Sequence, residues 1–260
     1  MTALLVRELR LLVTSATGGV LGAVWALCVA ALFLVDLTAF EQAEQRALAL
    51  GDPALVALLD VNDLLLSSVL GNVVVLLLFF APLLAMRLFA DDPTTRDWLL
   101  HAAPSATTVG LGKLAAGVVI VAGLAGSTLA LPALLAVFGQ PAAGGTGPVV
   151  DVAQAVVATG TLAACGACFV AVACVAAAVF DVPLAAGLVA FLVLVAWWLL
   201  PSTVTLVGPD VARWLAWASP SSHLERGLRG VLDGGDVVWF VGTFVSAALA
   251  TVLGLARGRR

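Results

Sequence analysis

From Leu11 to Val35 the chain carries no charged side chain, and the same holds from Leu64 to Met86 and from Leu114 to Val150. A helix needs about 20 predominantly apolar residues to cross the ~30 Å hydrocarbon core of a bilayer, so runs of this length read as membrane spans. The 260 residues are 62% hydrophobic and 11% charged, with a mean hydropathy of +1.14. Soluble chains carry about 25% charged residues. A globular core of this size cannot hide so much apolar surface, and lipid is the solvent that fits. The formal charge of −4 lacks the basic footprint that nucleic acid demands. The four cysteines all lie in apolar stretches, which argues against a secreted disulfide framework.

The chain therefore reads as an all-α, polytopic membrane protein with one transmembrane domain over residues 1–260. Six spans are expected, at about 14–36, 64–86, 114–138, 149–180, 184–200 and 237–256. The first follows Arg7 and Arg10 without a small-residue cleavage site and is read as an uncleaved helix. Turn formers from Gly139 to Pro148 divide the third span from the fourth, and Asp181-Val182-Pro183 divides the fourth from the fifth. An inside N-terminus puts Arg7, Arg10, Arg87, Arg96, Lys113, Arg257, Arg259 and Arg260 on one side. Arg46, Arg213, Arg226 and Arg229 fall on the other. That bias predicts a multi-pass protein of the plasma or inner membrane with both termini cytoplasmic.

Away from their ends these spans contain no Asp, Glu, Lys, Arg or His. Ionisable groups at membrane depth mark ion pathways and proton relays, so an ion-coupled pump is disfavoured. Asn72 and Gln154 are read as interhelix hydrogen-bonding amides. Gly110-Leu111-Gly112-Lys113 lacks the spacing and the Ser or Thr of a phosphate loop. No cofactor is expected, and any ATP use falls to another subunit. Cys165, Cys168 and Cys174 lie among Ala, Val and Gly and are read as small packing residues. Gly18, Gly19 and Gly22 offer a close-packing face on the first span. Asp91, Asp92 and Asp97 supply too few oxygen ligands for magnesium.

Three segments outside the spans are informative. Leu4, Leu5, Leu9 and Leu12 stand at helical spacing with Arg7, Glu8 and Arg10 between them, predicting an N-terminal interfacial helix. Between spans two and three, Asp92 can cap a short helix opened by Pro93 and closed before Pro104, carrying Arg96, Asp97 and Trp98. Between spans five and six, two short helices are expected. One covers Asp210–Ala218, with tryptophans suited to the headgroup level. The other starts at a Ser222-x-x-Glu225 capping box, contains Arg226 and Arg229, and ends near Asp233. His223 is read there as a surface histidine, with a ligand or gate role as the competing reading.

Three stretches resemble the permeases of type-2 ABC exporters, most closely the branch tied to gliding motility and nitrous oxide reductase maturation. They are Arg7-Glu8-Leu9-Arg10, the run Ala81–Asp92 into the loop, and Ser219–Asp233, the last being the most specific. Where the family commonly has Gly-Thr-x-Glu before Leu-Leu, this chain has Thr95-Arg96-Asp97-Trp98, one residue shorter. The resemblance implies a permease half-transporter, two copies pairing with two separate ATPase subunits, and export. It assigns ATPase coupling to Asp91, Asp92, Arg96, Asp97 and Trp98. It places an extracytoplasmic helix or gate at His223, Glu225, Arg226 and Arg229. The competing readings are a membrane anchor that transmits force to an extracytoplasmic partner, and a membrane-embedded enzyme.

Overall fold

The computed structural model describes residues 2–51, 59–89, 105–139 and 149–257. Every regular element among them is helical. We number the α-helices α1 (Thr2–Thr14), α2 (Ala16–Leu50), α3 (Ser67–Phe89), α4 (Ala106–Ser127) and α5 (Ala130–Phe138). They continue as α6 (Val152–Val179), α7 (Pro183–Trp198), α8 (Pro209–Ala218), α9 (Pro220–Leu228) and α10 (Gly234–Arg257). A π-helical turn, Val61–Leu66, leads into α3, and a 3-10 turn, Leu200–Leu206, follows α7. Five helical stretches are long and apolar enough to cross a membrane, or six with α7 and its 3-10 turn as one span bent by 49°. The chain is a helical membrane protein of the multi-pass kind.

The boundaries differ from expectation where a charge or a proline was weighed wrongly. The first span does not stop at Asp36: α2 continues through Glu41, Glu44 and Arg46 to Leu50. Charged side chains on an exposed face do not interrupt a helix. The stop comes at Gly51, whose left-handed φ of 62° lets its N–H reach the Leu48 carbonyl. The third span starts earlier, at the Ser105 cap, so Lys113 lies inside α4. The span is also broken at Thr128–Leu129. Pro132 has no N–H to give the Thr128 carbonyl, and Leu131 N–H bonds that carbonyl in a tighter turn instead.

The bundle is organised around α6, against which α3, α4, α7, α9 and α10 all pack. Its Ala, Gly and Cys residues let backbones approach closely, as membrane interfaces require in the absence of water-driven association. Cys165, Cys168 and Cys174 are all buried, and the Cys168 thiol donates to the Phe240 carbonyl at 3.3 Å. A Cβ on Gly166 would collide with Val121 and meet Leu77 at 3.0 Å. By contrast α2 lies on the outside of the bundle, and nothing stands within 4 Å of a Cβ placed on Gly19 or Gly22. Of the expected close-packing face, only Gly18 is used within this chain: a Cβ there would collide with the Leu12 carbonyl where α1 meets α2.

Gly166→Val should therefore destabilise the protein by about 1–3 kcal/mol through overpacking. Gly19→Val, facing open space, should cost less than about 1 kcal/mol. Unfolding in detergent checks the contrast, and equal losses would contradict the packing described.

Candidate functional site

Two polar clusters sit at opposite ends of the bundle. The first gathers α1, the end of α3 and α4. Along α1 the inward positions are Leu5, Leu9 and Leu12, and Glu8 faces inward with them, 5% exposed. There it stands 3.8 Å from the Lys113 ammonium, which is 3% exposed and also donates to the Leu88 carbonyl. Lys113 lies over the Phe89 ring, 5.4 Å from its centroid. Arg7 closes the group on Glu8 at 2.7 Å, while Arg10 is exposed. Sequence reading placed Glu8 on the polar face; its i, i+4, i+8 spacing with Leu4 and Leu12 was the available signal for burial. The cluster ties α1 to both elements that flank residues 90–104. Asp91, Asp92, Arg96, Asp97 and Trp98 lie outside the described residues.

The second cluster is built by α8, α9 and the start of α10. Pro209 and Pro220 each open a helix. The N-cap of α9 is Ser219, whose hydroxyl accepts from the Ser221 amide, and not Ser222 as the capping-box pattern predicted. Proline fits the first helical position and moves the start three residues earlier. The helix ends in a Schellman turn: Gly230, with φ of 80°, bonds the Gly227 carbonyl and Val231 the Arg226 carbonyl. Glu225 and Arg229 are exposed and pair with each other at 3.1 Å, away from the cluster. Arg226 bridges Asp233 at 2.9 Å and Asp236 at 2.8 Å.

His223 is buried, contrary to the surface role expected. Its Nδ1 is 2.7 Å from Asp236 Oδ1 and its Nε2 is 2.8 Å from the Trp217 carbonyl oxygen. Its ring stacks on Trp239 at 4.5 Å. Asp236, in the first turn of α10 and 5% exposed, went unnoticed in the sequence because it reads as an ordinary acidic first-turn residue. The Trp197 indole donates to the Ala218 carbonyl at 2.7 Å, so α7 also holds the junction of α8 and α9. Trp197 in turn lies 5.6 Å from Trp239. These contacts place α8 and α9 as a roof across one end of the bundle.

Below the roof, α7 and α10 both pack on α6 but diverge, leaving an apolar groove of about 1170 Å³. Val172, Val175 and Val179 floor it, Val189 and Val193 form one side, and Trp197, Trp217 and Trp239 close the roof end. The two amides act as interhelix bonds: Gln154 donates to Asp63 at 2.9 Å and Asn72 to Asp36 at 3.0 Å. Asp36 corrects the picture of spans free of charge, since it sits five residues, or about 8 Å of helix rise, before Glu41.

Fold and site define a polytopic helical membrane protein with a roofed apolar groove. No protein-family model, curated protein or solved structure matches the chain. His223→Phe keeps the stack on Trp239 but loses both polar contacts of a buried group, and should cost about 3 kcal/mol. Arg229→Ala, in an exposed pair, should cost less than about 1 kcal/mol. Chemical unfolding in detergent compares them, and a His223→Phe loss as small as that of Arg229→Ala would contradict a structural ion network.

Proposed function

We propose that the chain is the permease subunit of an ABC exporter, driven by a separate ATPase. The observation that carries this reading is the Glu8–Lys113–Leu88 cluster. A coupling segment between spans two and three transmits force only if its flanks are tied to the spans. Here a buried ion pair and a carbonyl bond join α1, α3 and α4 beside residues 90–104. Motion of that segment would pass into three elements as a unit. The roofed groove supports an apolar or amphipathic cargo, since its walls offer aliphatic and aromatic surface.

Pairing of two copies is supported by α2, which presents Val20, Val24, Leu27 and Leu34 outward beside the open faces of Gly19 and Gly22. Small residues beside an apolar face are what membrane helices use to associate. The force-transmitting anchor remains the second reading, favoured by the roof, where Trp214 and Trp217 are exposed and available to an extracytoplasmic partner. Both readings place the chain in the cell membrane with its termini cytoplasmic and ATP hydrolysis in a partner.

The test reconstitutes the chain in proteoliposomes with an ABC ATPase that co-purifies with it. The pair should show ATP-dependent movement of amphiphiles that Asp97→Arg and Trp98→Ala each reduce about tenfold or more, while ATPase binding persists. Full coupling in both variants would contradict the lever assignment.

A further inference from the structure

Helix α8 ends, as every helix does, in carbonyls that have no partner within the helix. Two of them are met by ring nitrogens from neighbouring elements. The Trp197 indole on α7 donates to the Ala218 carbonyl, and His223 Nε2 on α9 stands 2.8 Å from the Trp217 carbonyl oxygen. Trp217 and Ala218 both line the roof end of the large groove. What holds these two carbonyls therefore holds the roof over the groove.

The two holds differ in kind. An indole N–H is a donor and nothing else. His223 has an acceptor at each ring nitrogen: the Trp217 carbonyl at Nε2, and Asp236 Oδ1, 2.7 Å away, at Nδ1. A neutral imidazole has one N–H and one lone pair, so it can donate to only one of the two. In the other contact a lone pair would face an oxygen at hydrogen-bonding distance. Donation at both ends requires a ring with two N–H groups.

Loss of one proton forces a choice, and the surroundings make it. Asp236 Oδ1 takes donors from His223 and Arg226, while Oδ2 is buried with no partner. Without His223 this carboxylate would keep the Arg226 N–H only, a costly state for a buried charge. The Trp217 carbonyl is neutral and belongs to α8, a helix with no buried residue, where water can take the place of the ring. The remaining hydrogen therefore stays on Nδ1. Of the other charges around the ring, Asp233 is paired with Arg226, and Asp210 and Arg213 of α8 are exposed. Helices α6 and α7 carry no charged side chain, and the thiols of α6, on Cys165, Cys168 and Cys174, are buried. Among these side-chain types, imidazole is the one that ordinarily changes charge between about pH 5 and pH 8.

We propose that His223 is a proton-operated latch on the roof. Protonated, it joins the end of α8 to α9 and α10 and closes the roof end of the groove. When Nε2 gives its proton to solvent, His223 keeps Asp236, releases the Trp217 carbonyl and leaves the last turn of α8 on the Trp197 bond. The latch needs no ATPase, so it stands or falls apart from the permease reading.

The test uses the full chain in nanodiscs with ¹⁵N-labelled histidine and with His101→Asn, which leaves His223 as the sole histidine. Between about pH 5 and pH 9, a range that brackets imidazole titration, the ring should pass from two protonated nitrogens to one, with Nε2 the bare one. Over the same range, amide exchange in residues 215–219, corrected for its intrinsic pH dependence, should rise about fivefold or more, the worth of one net hydrogen bond. Exchange in residues 186–194 should stay level. His223→Gln, which cannot change charge, should abolish the pH dependence, and the spectrum of the His223 protein decides even where that variant fails to fold. A ring that keeps one protonation state throughout, a bare Nδ1 in place of Nε2, level exchange in 215–219, or a rise that persists in His223→Gln would each overturn the latch.

Discussion

Close packing on α6 is the constraint from which the rest of the structure follows. In lipid there is no hydrophobic drive to hold one apolar helix against another, so contact must come from shape. A helix of Ala, Gly, Val and Cys provides that shape, and five other helices pack on it. Where two of them, α7 and α10, splay apart on the same floor, a groove results. Where a third, α9, lies over α6 at the roof, its Gly227 meets Thr161 so closely that a larger residue would not fit. Groove and roof are consequences of one small-residue helix.

The two polar clusters are what the bundle adds at its ends. Each uses buried charges near the membrane boundary, where desolvation is less severe than at the midplane. At the end that carries α1, Lys113 draws Glu8 and the Leu88 carbonyl of α3 together. At the roof, Asp236 collects His223 and Arg226. In both cases a residue from a short surface helix is anchored by one from a long span, so the short helices are held in register with the spans. A buried pair of this kind is weak as a source of stability but specific in geometry.

Much of the fold was legible in the sequence because lipid imposes a coarse code. Uncharged runs gave the spans, and Pro209 and Pro220 opened helices close to where turn chemistry places them. The misreadings share a cause. Asp36, Glu8, His223 and Asp236 each look like surface residues by type, and only packing shows that three are buried and that Asp36 bonds an adjacent span. Ser222 mimics a cap, but Pro220 fixes the start of α9 earlier. The break at Thr128 follows from Pro132, a signal present in the chain and overlooked beside the glycine-rich segment that follows. That Asp236 Oδ2 is buried without a hydrogen-bond partner has no sequence signal, since satisfaction of a hydrogen bond is a property of three dimensions.

The central proposal is that this bundle supplies a path and a lever while a nucleotide-driven partner supplies the work. The most direct measurement follows fluorescent amphiphiles across vesicles that hold the chain alone, under imposed proton and sodium gradients and with ATP inside or out. The account predicts movement no faster than in protein-free vesicles under every condition. Gradient-driven accumulation by the chain alone would contradict it.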